Sequence, residues 1–175
     1  LIFGKKSINR INELLPTKNN HDYFIYVVDD FFENDKIFNN LNIEDSDHLI
    51  LFPATKKEPS TDQIDSYRDS ILQKFSNKLP KAVIGIGGGS TMDVAKSISV
   101  MLCNPGSSKD YQGWDLPKHK GIYKIGIPTI AGSGSESSRT AVLMGEDRKF
   151  GINSDFSMFN AIILDSNLID TVPTD

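Results

Sequence analysis

Three short apolar segments, separated by stretches with helical spacing, constrain the fold of this chain more than any other feature. They are YFIYVV at 23–28, HLILF at 48–52 and AVIGI at 82–86. Strands that are apolar on both faces are typical of a parallel sheet covered by helices. The alternation of strand and helix therefore predicts an α/β fold built on an open, doubly wound, mostly parallel sheet.

Apolar residues recur at i, i+3 and i+4 in three segments, which predicts helices around 8–15, 64–75 and 94–102. Ser60 and Gln63 have the spacing of a capping box for the second helix. Ser90 or Thr91 is the predicted N-cap of the third, and Asn-Pro-Gly at 104–106 ends it.

The alternation breaks after residue 104. The segment NPGSSKDYQGWDLPKHKG at 104–121 is polar and rich in turn residues, so it is predicted to be a loop, and loops of that length are usually functional or disordered. Further strands are predicted at 122–130, 140–144 and 160–164. A chain of 175 residues with this pattern is expected to form one domain.

Composition excludes several classes of protein. The net charge is −4 with no basic cluster, which argues against a nucleic-acid partner. No apolar run approaches the roughly 20 residues that span a membrane, and residues 1–15 lack the layout of a signal peptide. The single cysteine, Cys103, cannot form an internal disulfide, which is typical of a reducing compartment. A soluble, cytoplasmic protein is predicted.

The third apolar strand runs directly into Gly87, Gly88 and Gly89, and a helical pattern opens near Ser90. Unpaired N–H groups and the helix dipole attract phosphate to a helix start, and glycine lets the backbone approach an anion closely. The pattern is neither G-x-G-x-x-G nor a Walker loop. We interpret it as a phosphate site; the alternative is a tight glycine turn.

Two further segments sharpen this interpretation. Asp29 and Asp30 follow the first strand, and a carboxylate there can bind the ribose hydroxyls of an adenosine; a solvated turn or a helix cap is the alternative. The segment PTIAGSGSE at 128–136 ends a strand in small and hydroxyl residues. It is either a second close approach to a ligand or a flexible turn.

These motifs resemble those of a known family. GGGSTMDVAK at 87–96 and PTIAGSGSE at 128–136 match the GGGSxxDxAK and PTTAGTGSE signatures of the iron-containing (group III) alcohol dehydrogenases. FGKKSI, VVDD and DSNLIDTVP also fall where that family has counterparts, so the resemblance covers essentially the whole chain. It implies a Rossmann-like NAD-binding domain over 1–175. YQGWDL at 111–116, followed by 121–143, most resembles the 3-deoxy-octulosonate 8-oxidases, which oxidise the terminal alcohol of an eight-carbon sugar acid.

The resemblance also assigns cofactor contacts. The pyrophosphate of NAD would lie on Gly87, Gly88, Gly89 and Ser90. Asp29 would contact the adenosine ribose and repel a 2′-phosphate, which favours NAD over NADP. Hydroxyls near the diphosphate and the nicotinamide ribose would come from Thr129, Ser133 and Ser138. Val142 would lie by the nicotinamide, Lys149 would reach a ribose hydroxyl, and Asp93 would cap or brace the glycine loop.

The chain departs from the family at three positions where threonine is frequent: Ile130, Ser133 and Ser138. The two serines keep the hydroxyl, whereas Ile130 loses it.

The family's divalent metal, iron or zinc, is held by one Asp and three His of a C-terminal helical domain. The first two ligands are expected shortly after DTVPTD, beyond residue 175. The histidines of this chain, His21, His48 and His119, have no metal-ligand spacing and are expected to be structural or solvent-facing. No metal ligand and no catalytic acid or base is predicted here, so the chain is expected to be the nucleotide-binding half of a longer enzyme.

The implied reaction is hydride transfer between a primary alcohol and the nicotinamide, with a small alcohol or a sugar acid as substrate and a homo-oligomer, a dimer, as the assembly. Two alternatives stay open. A lyase of the dehydroquinate-synthase type shares the general architecture and also uses NAD with a metal. A nucleotide-binding module without enzymatic activity is the other.

Overall fold

A computed structural model describes residues 1–33 and 36–169. The strands in these ranges are β1 (Ile2–Phe3), β2 (Phe24–Asp29), β3 (His48–Phe52), β4 (Ala82–Gly87), β5 (Gly113–Trp114), β6 (Lys124–Pro128), β7 (Thr140–Met144), β8 (Lys149–Asn153) and β9 (Ala161–Leu164). The α-helices are α1 (Thr61–Lys74) and α2 (Gly89–Met101). The 3-10 helices are Ser7–Glu13, Asp30–Phe32, Lys36–Asn40, Ser108–Tyr111, Ser135–Ser137, Asp155–Ser157 and Ser166–Leu168.

Within the described residues, a six-stranded sheet has the spatial order β1-β9-β6-β4-β2-β3, and every neighbouring pair in it is parallel. The predicted doubly wound, mostly parallel α/β fold is confirmed. Both faces of this sheet are covered. Ile25 and Val27 of β2 pack in one hydrophobic cluster with residues of α1 and α2, and Tyr26 and Val28 pack in a second cluster on the opposite face. This alternation follows from the period of two in a strand.

A smaller sheet of three strands, in the order β5-β8-β7, packs beside α2. β7 and β8 are antiparallel, and β5 runs parallel to β8. Leu143 and Ile152 of this sheet are buried in the same cluster as Ile98 of α2. The small sheet is therefore fixed against the helix that follows the glycine turn.

The helix predicted around 8–15 is a 3-10 helix, Ser7–Glu13, and not an α-helix. The buried Asp165 carboxylate accepts the backbone N–H groups of Lys6 and Ile8, both at 3.0 Å. The segment ends with the N–H of Leu14 bonded to the carbonyl of Ile11, an i to i+3 bond. Contacts with a distant carboxylate, which the local sequence does not show, set this backbone.

The helix caps partly follow prediction. Ser60 caps α1 and accepts the backbone N–H of Gln63, but the Gln63 amide donates to the Tyr67 hydroxyl at 3.0 Å. For α2 the prediction was wrong, because Gly88, and not Ser90 or Thr91, is the N-cap.

The predicted loop at 104–121 contains ordered elements, namely the 3-10 helix Ser108–Tyr111 and β5. Asn104 ties its two ends together, donating to Val100 and accepting the N–H groups of Lys118 and His119. No helix among residues 1–33 and 36–169 is long and apolar enough to cross a membrane.

Candidate cofactor site

The carboxyl ends of β2 and β4 lie side by side at the point where the chain reverses its direction across the sheet. From β2 the chain continues to β3 on one side, whereas from β4 it continues through α2 to β6 on the other. In open α/β sheets, the crevice at such a switch point is where ligands bind. β2 ends at Asp29, β4 ends at Gly87 and β6 ends at Pro128.

Gly87 is required by the fold itself. Its φ is +155°, and a Cβ there would lie 2.7 Å from the Thr91 side chain and 3.0 Å from the Asp29 Cβ. Any side chain at this position would therefore collide with its neighbours. The same contact shows that Asp29 and the glycine turn are adjacent.

The backbone conformation does not explain the next two glycines. Gly88 has φ −79° and ψ −172°, and Gly89 is the first residue of α2; both conformations are open to other residues. A Cβ on Gly88 would meet the Ile130 Cδ1 at 3.2 Å, and one on Gly89 would meet the Ser133 Cβ at 3.2 Å. The 130–133 segment thus faces the tip of the turn at close range.

No side chain of the first turn caps the start of α2 or balances the positive end of its dipole. Gly88 provides no side-chain cap, and the first turn contains no acidic residue. The first helical bond runs from the N–H of Met92 to the carbonyl of Gly88, which leaves the preceding N–H groups without an intrahelical acceptor. The Thr91 hydroxyl, fully buried in the same turn, has no hydrogen-bond partner. This end of the helix is suited to an anion.

Asp29 is buried at the end of β2, and its Oδ1 accepts the N–H of Phe31 at 3.1 Å. It therefore caps the short helix Asp30–Phe32, which confirms the helix-cap alternative while leaving the carboxylate beside the glycine turn. Burial raises the pKa of the Asp29 carboxyl, and the neighbouring charge of Asp30 adds to the rise.

Thr129 and Ser133 border the turn on the β6 side. The backbone N–H of Thr129, which is buried, donates to the Gly87 carbonyl at 3.0 Å. Ser133 lies against Gly89, and its Oγ accepts the N–H of Ser135 at 3.4 Å. The structure thus brings these two predicted residues to the glycine turn.

The other predicted residues lie in or beside the small sheet. Ser138 Oγ accepts from the Lys96 ammonium at 3.1 Å and donates to the Thr140 carbonyl at 3.1 Å. Val142 is exposed on β7. Lys149 pairs with Met144 in the β7–β8 register, which places it on the same face as Val142. Its ammonium forms an ion pair with Glu58.

Two features of the site were missed or misplaced at the sequence level. Asp93 is a brace, but its carboxylate accepts from Ser135 Oγ at 2.6 Å and from the Val142 N–H at 3.0 Å, so it holds the serine segment and β7. Lys96 was not predicted to contribute, yet it is fully buried among these residues. The signal was the i, i+3 spacing of Asp93 and Lys96, the two charged residues of α2.

The described residues do not fit the metal site of the family named above. Within residues 1–33 and 36–169, no group of three or more His, Cys, Asp or Glu side chains is arranged to hold a metal ion. His48, at the start of β3, has its Nδ1 3.1 Å from the Lys74 ammonium. The segment DTVPTD, 170–175, after which the metal ligands were expected, lies outside the described residues.

Comparison with known proteins decides the family. A family model of iron-containing alcohol dehydrogenases matches residues 1–166. The chain belongs to the iron-containing alcohol dehydrogenase family. This membership agrees with the two glycine- and serine-rich motifs that meet at the switch point.

Several members of the iron-containing alcohol dehydrogenase family are similar to this chain. A long-chain-alcohol dehydrogenase of Geobacillus thermodenitrificans is 39% identical over 94 residues, 52% of this chain and 24% of that protein. A sulfoacetaldehyde reductase of Bilophila wadsworthia is 34% identical over 125 residues, 70% of this chain and 31% of that protein. The crystal structure of sulfoacetaldehyde reductase from Bifidobacterium kashiwanohense in complex with NAD+ superposes with a TM-score of 0.77 at 26% identity, over 98% of this chain and 46% of that one. This chain thus spans less than half the length of these relatives.

Proposed function

We propose that this chain is the NAD-binding half, over 1–175, of a metal-dependent alcohol dehydrogenase that transfers hydride between a primary alcohol and nicotinamide. The family membership supports the reaction class, and NAD+ is bound in the related sulfoacetaldehyde reductase structure. As the family resemblance implies, the metal ligands would belong to sequence that follows residue 175.

We assign a cofactor contact to each of the predicted residues. Gly87, Gly88, Gly89 and Ser90 would surround the pyrophosphate with the free N–H groups of α2. Asp29 would accept hydrogen bonds from the adenosine ribose. Thr129, Ser133 and Ser138 would supply hydroxyls along the diphosphate and the second ribose, Val142 would border the nicotinamide, and Lys149 would exchange Glu58 for a ribose hydroxyl. When bound, NAD would supply the hydride acceptor, and this chain's residues bind and orient it.

One observation carries the proposal: Gly88 lacks a side chain although neither its backbone conformation nor its buried neighbours require that. Among the described residues, a Cβ at this position would closely approach only the tip of the Ile130 side chain, which is 48% exposed. Gly88 lies beside a helix start that has no side-chain cap. A bound anion whose atoms occupy the place of the Cβ would explain why this position is glycine.

Two substitutions distinguish between two explanations for Gly88: contact with the ligand, and space for the Ile130 side chain. We expect Gly88→Ala to weaken NAD binding by about tenfold or more, since the new methyl displaces the anion. Ile130→Ala removes the competing contact. If NAD binding stays weak in the double variant, the methyl conflicts with the ligand. If Ile130→Ala restores NAD binding to Gly88→Ala, the glycine serves side-chain packing and the contact assigned to Gly88 is wrong.

For the substrate we propose the terminal alcohol of an eight-carbon 3-deoxy sugar acid. The supporting observation is the position of the YQGWDL segment, 111–116. Trp114 pairs with Asn153, which pairs with Thr140, so Trp114 and Val142 lie on the same face of the small sheet. Both are exposed. The segment that carries the resemblance to the sugar-acid oxidases thus shares a face of the small sheet with Val142, which lies across β8 on the strand proposed to border the nicotinamide.

The substrate proposal is tested with the complete gene product, including whatever coding sequence follows residue 175. NADH absorbance is followed with the sugar acid and with simple diols, with and without added iron or zinc. Turnover of the sugar acid is expected, and turnover of diols alone would discard the substrate while keeping the reaction. The 175-residue chain is expected to bind NAD without turnover. A homodimer and a cytoplasmic location remain part of the proposal.

A further inference from the structure

A buried ion pair on α2 links this helix to the serine segment at 135–138 and to β7. Lys96 is fully buried, and its ammonium donates to Ser135 Oγ at 3.0 Å, to Ser138 Oγ at 3.1 Å and to the Thr140 carbonyl at 2.8 Å. An ammonium has three N–H donors. All three are used inside the protein, so Lys96 does not have a donor left for a ligand.

Asp93, one helical turn earlier, completes the link. Its Oδ1 lies 3.6 Å from the Lys96 ammonium and accepts from Ser135 Oγ at 2.6 Å. Its Oδ2 accepts the backbone N–H of Val142 at 3.0 Å. The pair therefore holds the serine segment from one side and the backbone of β7 from the other.

Burial opposes both charges, since it lowers the pKa of Lys96 and raises that of Asp93, while their mutual attraction counteracts both shifts. A buried ion pair is weak evidence for stability, because apolar residues of similar volume often stabilise a fold as well. The pair does, however, fix a geometry, since five directional hydrogen bonds converge on two side chains of one helix.

We propose that Asp93 and Lys96 are positioning residues that set where Ser138 and Val142 stand relative to the glycine turn. The inference rests on the proposed function, in which Ser138 and Val142 contact the nicotinamide half of NAD. The adenosine and pyrophosphate half would instead contact Asp29 and the first turn of α2, which the pair does not touch. The pair would therefore control affinity for one half of the cofactor and not for the other.

The test compares NAD with ADP, which has the adenosine and the pyrophosphate but lacks the nicotinamide riboside. Asp93→Asn keeps the size of the side chain but cannot accept both bonds as a carboxylate does. We expect this variant of the 175-residue chain to bind NAD about tenfold more weakly while its ADP affinity stays within about twofold of wild type. Asp62→Asn, on the exposed first turn of α1, is the matched control and should change neither affinity.

A second variant protects the test against a folding defect. Ser135→Ala removes the hydroxyl shared by Asp93 and Lys96 without leaving a charge unpaired, and it should give the same selective loss of NAD affinity. Equal losses of NAD and ADP affinity in both variants, or no loss at all, would overturn the inference. A wild-type chain that binds neither ligand would instead contradict the proposed function, so the two failures are distinguishable.

Discussion

The backbone N–H of Thr129 donates to the carbonyl of Gly87 at 3.0 Å, so β6 and β4 end side by side at the glycine turn. This bond joins the two signature motifs of the chain. Their first residues, Gly87 and Pro128, are 41 positions apart in the sequence and lie opposite each other in the register. Gly87 and Gly88 are neighbours in this turn, but replacing them should have different effects on the stability of the fold.

Gly87→Ala is expected to destabilise the fold. The alanine Cβ would lie 2.7 Å from Thr91 at a φ of +155°, and strain combined with overpacking costs about 1–3 kcal/mol or more. Gly88→Ala is the comparison, since the φ of Gly88 is ordinary and its neighbour is the exposed side chain of Ile130. Urea unfolding followed by circular dichroism measures both. Equal stabilities of the two variants would contradict the distinction between the glycines.

Asp29 is expected to select NAD over NADP. Its buried carboxylate would oppose a 2′-phosphate at the same place, and Asp29→Ser removes the charge while keeping an acceptor for the Phe31 N–H. The ratio of NADP to NAD dissociation constants should fall by about tenfold or more in the variant. Calorimetric titration gives both constants. If the wild-type chain binds NADP as tightly as NAD, the role of Asp29 is wrong.

The same residue should make stability depend on pH. Because burial raises the pKa of Asp29, the ionised side chain costs folding free energy, and stability is lost as the pH rises through the folded-state pKa. Asp29→Asn removes that cost and still accepts from Phe31. We expect the variant to melt above wild type at pH 7, with the difference shrinking as the pH falls toward 3. A constant difference across that range would argue against titration of Asp29.

Lys124 should give the opposite dependence at alkaline pH. It is buried at the start of β6 and donates to the Phe156 carbonyl at 2.9 Å, and burial lowers its pKa to about 8. The unfolded chain then binds more protons between about pH 8 and 10.4, so stability rises with pH in that window. The Lys124→Met variant cannot titrate at this position. Relative to it, the free energy of unfolding of the wild type should rise by up to about 3 kcal/mol across this window. Parallel unfolding curves at pH 8 and 10 provide the measurement.

The parts of the molecule that were predictable are those where neighbouring residues decide the structure. The apolar runs of β2, β3 and β4 predicted a parallel sheet because strands that are apolar on both faces leave few other arrangements. The position of the glycines predicted a turn between β4 and α2. Family membership then agreed with the motifs at 87–96 and 128–136.

The unpredicted parts depend on contacts between distant segments. The 3-10 helix Ser7–Glu13 depends on Asp165, more than 150 residues away. Lys96 is buried on α2, and its acceptors lie on Ser135, Ser138 and Thr140, about 40 residues further on. No periodicity identifies such partners, since their pairing follows from the packing of α2 against the small sheet.

The central claim is that the glycine turn binds the pyrophosphate of NAD. The most direct measurement is a titration of the isotope-labelled chain with NAD, in which the backbone amide resonances are followed by NMR. The account predicts saturable shifts that are largest at the amides of Gly88, Gly89 and Ser90, because those N–H groups gain an acceptor, with further shifts near Asp29. Saturable shifts confined to other surfaces, with these amides unmoved, would contradict it.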